Sequence, residues 1–347
     1  MNSYSPVKPQ RLILGAAVLL ASAGAVQAQR APERVSVSLS TGAEATVFAS
    51  VPEGFEPNLA TDDELLYYGY PPRPDPSNAR AMSLWQRAVH TRRVSTGLLE
   101  RPDRFHRPVQ ELSTQRTASN ETGTSGNWSA VILDGSSADF DSIVGFWAVP
   151  NVATQVSGTA NAYSSTWVGL DGSGTQDLIQ DGTESDWVGG KAGYAAWVEV
   201  LPAAEDILTG LPVNPGDAIY AATQYKVVSG TAYAYFYMTN FNTVTSVSLS
   251  IAFPKDLKYT GQSAEWVEER TEVDGTYEHP MPNYGIAFMS AGYASRSGST
   301  TLYPPNATPS SVATTEYITM YDTPSKKNLS APAPQGSDSI TFQWLAY

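Results

Sequence analysis

Two glutamates in residues 263–270 have the spacing that acid–base chemistry requires. The segment predicts a β-strand, in which successive side chains alternate between the two faces. Glu265 and Glu269 therefore share one face, with Val267 between them, while Glu268 points to the other. Such carboxylate pairs are costly in a core and are what general acid–base catalysis uses. A solvated edge strand would carry the same pattern, so the rest of the chain has to decide between these interpretations.

Histidine and cysteine chemistry is poorly represented in this chain. It has no cysteine, which excludes thiol catalysis and thiolate metal sites, and it has three histidines. His90 and His106 belong to the N-terminal region, and His279 belongs to a predicted loop. There is no Gly-x-Ser-x-Gly elbow, no His-Glu-x-x-His motif and no phosphate-binding glycine loop. The remaining chemistry is that of carboxylates and carboxamides, and we predict no metal and no cofactor.

Three further segments place suitable side chains on predicted strands. Trp167 and Asp171 share a face if their segment is extended, and Gln180 stands at the end of an apolar run. Trp197 and Glu199 also share a face. Aromatic, carboxamide and carboxylate groups at alternating positions of several strands could line one concave sheet. Ordinary core packing or turn chemistry would explain each of these residues taken alone.

The chain after residue 126 is dominated by strand signals. Ten runs are rich in β-branched or aromatic residues and are commonly separated by Gly, Pro, Asn or Asp. Short strands at this spacing, without a long helical pattern, predict an all-β fold, namely an antiparallel double-sheet β-sandwich. The predicted strands are residues 143–149, 163–170, 194–201, 218–228, 231–239, 243–253, 263–270, 284–291, 316–321 and 339–345.

The N-terminal region differs from the rest of the chain. Residues 1–28 have the charged, apolar and small-residue parts of a secretory signal peptide, and no later stretch is apolar enough to span a membrane. Residues 29–120 hold most of the arginine and predict a propeptide with a linker, followed by a catalytic domain at 121–347. A small separate N-terminal domain is the alternative. Helical periodicity runs over residues 82–99, and the Ser/Thr/Gly-rich residues 110–126 predict an exposed linker.

The excess acidic charge lies after the N-terminal region. Residues 1–125 hold 13 of the 21 Lys and Arg but only 12 of the 34 Asp and Glu, in a chain of net charge −13. Such a surface argues against nucleic acid and anionic membranes as partners. It also suits a protein that works in acid, where many carboxylates are neutral. Plain solubility would account for the same charge.

Six segments, in the same order along the chain, resemble the glutamic peptidases (eqolisins), a family of acid endopeptidases first recognised in fungi, with bacterial relatives. The resemblance implies a concanavalin A-like sandwich of the jelly-roll type, a preceding propeptide and a peptidase that pepstatin does not inhibit. The fungal members have cysteines that are missing here, which favours a bacterial member. The six segments are residues 127–129, 145–150, 166–172, 178–182, 196–199 and 264–270.

The resemblance also implies roles for single residues. Gln180 matches the catalytic glutamine of the family, and Glu269 matches the catalytic glutamate that closes an Ala-Glu-Trp-x-x-Glu pattern. Glu265 is the second candidate, because it shares the face and the motif. Ala195 departs from the family, which often has an acidic residue there. The implied substrate-binding residues are Trp167, Asp171, Trp197, Glu199 and Glu265.

The predicted protein is a secreted, monomeric acid endopeptidase that acts on polypeptides and is made as a precursor inhibited by its own propeptide. Glu269 would be the general base on a water molecule, and Gln180 would stabilise the oxyanion. Propeptide arginines would pair with cleft carboxylates at neutral pH and release them in acid. A secreted glycan-binding or glycoside-hydrolysing sandwich is the main alternative, since exposed tryptophans stack on sugars and paired carboxylates cleave glycosides. A non-catalytic sandwich is another.

Overall fold

A computed structural model describes most of the chain from Glu33 onward. The predicted signal peptide at residues 1–28 lies outside the described residues. None of the described helices is long and apolar enough to cross a membrane. The described residues are 33–116, 121–135, 138–152, 160–255, 257–277, 279–299, 301–306 and 313–346.

Within those ranges the chain forms two short helices and a long series of strands. The helices are α1 (Asp62–Tyr67) and α2 (Ala79–Val89). The strands are β1 (Arg34–Ser38), β2 (Glu44–Phe48), β3 (Arg92–Arg93), β4 (Leu98–Arg101), β5 (Arg104–Phe105), β6 (Glu111–Arg116), β7 (Glu121–Ser125), β8 (Trp128–Asp134), β9 (Phe140–Ala148), β10 (Ser165–Leu170), β11 (Ile179–Val188), β12 (Lys191–Val200), β13 (Glu205–Leu208), β14 (Ala218–Val228), β15 (Thr231–Asn240), β16 (Thr245–Ala252), β17 (Ser263–Glu269), β18 (Glu272–Val273), β19 (Ile286–Arg296), β20 (Thr314–Asp322), β21 (Lys327–Pro334) and β22 (Ile340–Trp344).

The strands form two antiparallel layers. In the first layer the order of neighbours is β20, β8, β17, β10, β11, β12, β13 and β4. In the second layer the order is β19, β9, β14, β15, β16, β2 and β1. Strand β22 pairs with both β19 and β21, and β21 pairs with β20, so the two layers are connected at one edge. The predicted all-β double-sheet sandwich is confirmed.

The main hydrophobic core lies between the two layers. Val168 of the first layer and Phe236 of the second belong to it and are fully or almost fully buried. Two tryptophans cross the core with satisfied indole groups, as buried polar atoms require. Trp147 Nε1 donates to Thr183 Oγ1 at 2.9 Å, and Trp266 Nε1 donates to the Val144 carbonyl at 3.0 Å.

Two predictions about the N-terminal half are wrong in part. Residues 110–126 were predicted to be an exposed linker, but 111–116 and 121–125 are strands, because β6 pairs with β7 and β7 pairs in parallel with β20. The predicted helix at 82–99 is shifted. It begins at Ala79, where the Asn78 side chain caps the first turn, and it ends at Val89. The later part of that stretch forms β3 and β4, which pair with β16 and β13.

The N-terminal region makes two different kinds of contact with the sandwich. Residues 33–101, here called the base segment, add β1 and β2 to the second layer and place α1 and α2 on its outer face. Residues 102–110, here called the strap, lie against the outer face of the first layer. Its strand β5 pairs with β18. That face of the first layer carries the predicted site.

Candidate active site

Polar residues cross the outer face of the first layer in a row. Glu265 on β17, Gly169 on β10, Gln180 on β11 and Glu199 on β12 are level with one another in the strand register. A Cβ atom at Gly169 would come within 2.9 Å of the Trp167 ring. Glycine at this point therefore lets the large aromatic side chain pack beside the polar row.

Two further rows follow on the same face, each two residues farther along the strands. One row holds two tryptophans, and the next holds two glutamates, as the alternation of side chains requires. All the side chains of the second row and both glutamates of the third are buried. The second row is Val267, Trp167, Gly182 and Trp197, and the third is Glu269, Ser165 and Glu184.

Glu269 is held at the end of its strand by aromatic and imidazole donors. Its Oε2 accepts a hydrogen bond of 2.8 Å from Trp167 Nε1. The same oxygen lies 2.6 Å from Nδ1 of His106 in the strap. Burial raises the pKa of Glu269, while His106, Trp167 and Trp128 act in the opposite direction. The carboxyl group is therefore oriented, and its ionisation depends on what faces it.

The Gln180 carboxamide has a defined orientation. Its Nε2 donates to Glu199 Oε2 at 2.5 Å and to the carbonyl oxygen of His106 at 2.8 Å. The amide nitrogen therefore points at a peptide carbonyl that lies across the face. Such a donor stabilises negative charge that develops on a carbonyl oxygen.

Glu199 lies between the glutamine and the strap. Its two oxygens accept from the backbone N–H of His106 at 3.3 and 3.2 Å. Burial raises the pKa of Glu199 well above its ordinary value, His106 opposes this, and Glu205 and Glu269 add to it. Glu199 thus fixes the Gln180 amide and one backbone group of the strap at the same time.

The His106 ring fills the centre of the site. Its Nε2 lies 2.9 Å from Glu205 Oε2, while Nδ1 faces Glu269, so the ring bridges two carboxylates. It stacks on Trp197 with centroids 3.7 Å apart and an interplanar angle of 5°. Burial lowers the His106 pKa, but Glu269 and Glu205 outweigh it and raise that pKa well above the usual value. Because both ring nitrogens face carboxylate oxygens, these contacts favour the imidazolium form, in which both nitrogens donate.

Two arginines extend the charged contact on either side of His106. The buried guanidinium of Arg104 forms ion pairs with Glu184 and Asp186. Burial raises the pKa of both acids to about 7, although Arg104 acts in the opposite direction. On the other side, Arg107 Nη2 lies 3.0 Å from Glu272 Oε1. The strap thus places three basic side chains against the acidic face.

Five of the predicted site residues come together around His106. Gln180, Glu269 and Glu199 bond to it, Trp197 stacks on it, and Trp167 bonds to Glu269. These contacts join residues from four neighbouring strands of the first layer, β17, β10, β11 and β12, to the strap.

Asp171, another predicted substrate-binding residue, makes different contacts. It follows β10 with φ = 64° and is fully buried. Its oxygens accept from the backbone N–H groups of Thr260, Gly261 and Gln262 at 2.8 to 3.1 Å. In this structure Asp171 holds the loop that precedes β17, and it does not reach the group around His106.

Glu265 shares the face of Glu269 but not its surroundings. Among the described residues, neither of its carboxyl oxygens has a hydrogen-bond partner. Burial raises its pKa well above the usual value, Ser263 opposes this, and Asp171 and Asp134 add to it. A neutral carboxylic acid is the form that such a position favours.

Sequence reasoning missed four residues of this site. Glu184 is four residues after Gln180 and Asp186 two more, so alternation along β11 already put them on the cleft face. Glu205 carried no such signal, because β13 was not predicted. His106 lies in the run Arg-Phe-His-Arg, and its meeting with Glu269, 163 positions later, depends on tertiary structure.

The chain is similar to known proteins. A family model described as the Peptidase A4 family matches residues 126–331, which is more than half of the chain. Scytalidopepsin B of Scytalidium lignicola is 32% identical over 153 residues, which are 44% of this chain and 54% of that protein. The chain therefore spans about half the length of this curated relative.

Two solved structures are similar to the chain at low identity. One is scytalido-glutamic peptidase with a transition state analog inhibitor, at a TM-score of 0.49 and 21% identity, covering 63% of this chain and 98% of that one. The other is aspergilloglutamic peptidase from Aspergillus niger, at a TM-score of 0.44 and 20% identity, covering 53% and 99%.

Proposed function

Because the chain belongs to the peptidase A4 family, we propose that it is a glutamic endopeptidase that cleaves polypeptides in acid solution. One observation carries the proposal. The carboxamide of Gln180 and the carboxylate of Glu269 both contact His106. Gln180 donates to the backbone carbonyl oxygen of His106, and Glu269 contacts the His106 ring. A peptide in the cleft would therefore meet a hydrogen-bond donor and a base together.

Glu269 is the proposed general base. With the strap displaced, a water molecule takes the position of the His106 ring and donates to Glu269 as the ring now does. Glu269 removes a proton from this water as the oxygen attacks the scissile carbonyl, and it then delivers that proton to the leaving amine. The Trp167 indole, 2.8 Å from Oε2, keeps the carboxylate in place. Burial under the strap raises the pKa of Glu269, and displacement of the strap exposes the carboxyl group to water and removes this cause. A solvated glutamate titrates near pH ~4.3, so a base of this type functions in acid, where histidine is protonated.

Gln180 is the proposed oxyanion donor. Its amide N–H already bonds to a peptide carbonyl of the strap at 2.8 Å, and the same bond would strengthen as the carbonyl oxygen gains charge. Glu199 orients the carboxamide through the other amide hydrogen. Loss of one such donor lowers turnover by about 10²- to 10³-fold in other hydrolases.

The strap is the proposed inhibitor within a secreted precursor. His106 contacts both Glu269 and Gln180, and Arg104 forms ion pairs with Glu184 and Asp186. A polypeptide substrate could therefore not reach these residues while the strap is in place. We propose that the predicted signal peptide directs secretion, that residues 29–120 act as the propeptide, and that the protein is a monomer.

The activity is tested by proteolysis of a denatured protein from pH 2 to 7, using purified precursor with and without acid pretreatment. We expect acid-dependent cleavage that pepstatin leaves unchanged and that Gln180→Ala lowers by about 10²-fold or more. Cleavage that Gln180→Ala leaves unchanged would contradict the Gln/Glu mechanism. Hydrolysis of polysaccharide without proteolysis would support the glycan-active alternative instead.

A further inference from the structure

The base segment covers an aromatic face of the sandwich that has no contact with the proposed site. This face lies on the outside of the second layer, opposite the main core. Trp85 of α2 and Leu65 of α1 are almost fully buried against it. The residues of the second layer that line the face are Val144, Tyr220, Ala222, Tyr237 and Tyr293.

Directional contacts fix the base segment on this face. Tyr237 Oη donates to the Ala88 carbonyl at 2.9 Å, and Ser248 Oγ donates to the Gly69 carbonyl at 2.5 Å. The Arg93 guanidinium lies 4.1 Å from the Tyr70 ring centroid and 5.5 Å from that of Tyr237. None of these contacts involves a carboxylate or a histidine.

Strand pairing adds a second kind of attachment. Strand β2 continues the second layer beside β16, with Val47 level with Leu249 and both residues in the main core. Strand β4 continues the first layer beside β13. Removing the base segment would therefore open the backbone hydrogen bonds of one edge in each layer, in addition to exposing the aromatic face.

Among the described residues, few ion pairs connect the base segment to the rest of the chain. Arg80 pairs with Asp338 at 2.9 Å on the exposed surface, where such pairs add little. Arg101, the last residue of the segment, has its Nη1 3.9 Å from Oε2 of Glu184, a carboxylate of the site.

Other charged groups of the segment meet the sandwich in different ways. Burial raises the pKa of Asp206 to about 6, and Glu100 beside it adds to this. Arg87, another charged group of the segment, lies 4.4 Å from the Phe241 ring.

The strap is different, because ion pairs and hydrogen bonds with carboxylates hold it. We infer that the base segment remains bound when the strap is displaced, so that hydrolysis of peptide bonds on either side of the strap leaves a mature protein of two chains, residues from about 33 to 101 and the sandwich. This limits the proposed propeptide of residues 29–120 to the part removed between the two chains. The retention of the base segment does not depend on peptidase activity. The alternative is that all residues before 121 are discarded as one propeptide.

The test uses the full chain with a recognition sequence for a site-specific protease inserted at residues 117–120, between β6 and β7. The added protease cuts the purified precursor at pH 7, and the product is examined by size-exclusion chromatography and native mass spectrometry at pH 7 and pH 4. We expect the two fragments to elute together, in a 1:1 ratio, at both pH values. Separation of the N-terminal fragment at pH 4 would overturn the inference.

Matched variants locate the attachment. His106→Ala in the strap should leave the two fragments together at pH 4, while Trp85→Ala in the base segment should allow them to separate. Separation in His106→Ala would mean that the strap, not the base segment, holds the fragments together. If Trp85→Ala does not fold, co-elution or separation of the two fragments of the cut parent chain at pH 4 is the test of the inference. Because the cut is made by an added protease, an inactive protein would weaken the proposed function without affecting this result.

Discussion

His106 Nδ1 lies 2.6 Å from Glu269 Oε2, although the two residues are 163 positions apart in the sequence. The contact places an imidazole ring from the N-terminal region on the carboxylate that we propose as the catalytic base. The backbone carbonyl oxygen of His106 accepts a hydrogen bond from Gln180 Nε2. One strap residue thus covers both members of the proposed dyad.

Replacing His106 should make the precursor active without acid pretreatment. His106→Ala removes two contacts with charged groups, and such bonds contribute about 1.5 to 3 kcal/mol each. The strap should therefore bind on the order of 10²-fold more weakly or worse. Cleavage of a fluorogenic peptide by freshly purified precursor measures this effect. His90→Ala, which alters an exposed histidine of the base segment, should behave like the parent chain. Equal latency in the two variants would show that the strap does not inhibit.

The strap should open more readily as pH rises above neutral. His106 has a raised pKa in the closed strap because Glu269 and Glu205 face its ring, and opening removes these partners and lowers that pKa. The closed form therefore binds more protons than the open form, and loss of the His106 proton favours opening. Hydrogen exchange of strap peptides should show a loss of protection as pH rises above 7, and equal protection at all pH values would contradict this role of His106.

Arg104→Gln tests the ion pairs of the strap. The variant should be less protected at pH 7, because Glu184 and Asp186 would be buried without the guanidinium that offsets the cost of their burial. Arg92→Gln is the matched control, since Arg92 is exposed on β3. Equal protection in Arg104→Gln and the parent chain would rule out a role of these ion pairs in holding the strap closed.

The fold class could be predicted from the sequence because the core-forming strands have strong signals. The predicted and observed bounds of β14 agree, and those of β15 differ by one residue, since β-branched and aromatic residues mark β14 and alternating small and aromatic residues mark β15. Of strand β11, only the beginning, around Gln180, was predicted. Its sequence Ile-Gln-Asp-Gly-Thr-Glu-Ser-Asp-Trp-Val lacks apolar alternation because its outer face carries the acids of the site. The functional residues thus removed the usual strand signal.

Gln180 and Glu269 could be proposed from motifs that resemble those of a known family, whereas the partners of the strap could not be predicted. Composition indicated a basic segment before an acidic domain. The particular pairs of basic strap side chains and carboxylates, however, depend on the path of residues 102–110 across the first layer. The attachment of the base segment was also not predictable. Its helix α2 has an ordinary amphipathic pattern, and the aromatic face that receives it is assembled from four separate strands.

The protein should lose stability as pH rises above its acidic range. Asp181 is buried in the main core, where its Oδ1 accepts from Thr223 Oγ1 at 2.8 Å, and burial raises its pKa to about 8. The unfolded chain has an aspartate pKa near ~3.9, so the native state holds one more proton between these values. The stabilisation is complete below pH ~4 and is lost as pH rises to about 8.

Asp181→Asn should flatten this dependence. Denaturant unfolding at pH 5 and pH 8 should show a difference in free energy of unfolding that is smaller than in the parent chain by on the order of 3 kcal/mol, at 1.36 kcal/mol per pKa unit. Asp139→Asn alters an exposed acid and should leave the difference unchanged. A parent chain equally stable at both pH values would contradict the assignment of Asp181 as a neutral acid.

Glu199 should act by positioning the Gln180 carboxamide. Glu199→Leu removes the acceptor 2.5 Å from Gln180 Nε2, and the freed amide can rotate away from the carbonyl. We expect kcat to fall about 10- to 100-fold with little change in KM. Glu199→Gln keeps an acceptor oxygen at the same place and should restore most of kcat. Equal losses in the two variants would indicate that the charge of Glu199, not its acceptor oxygen, matters.

The central claim is that Glu269 is the base, and three matched Glu→Gln substitutions on β17 test it most directly. Activity at acid pH should fall by about 10³-fold or more in Glu269→Gln, since its base is lost. Glu268→Gln should stay near the parent value, because this residue faces the core, bonds to Thr166, and has a pKa raised by burial to about 8. Glu265→Gln should keep most activity. A Glu269→Gln protein with near-normal turnover, together with an inactive Glu265→Gln protein, would contradict the account and make Glu265 the base.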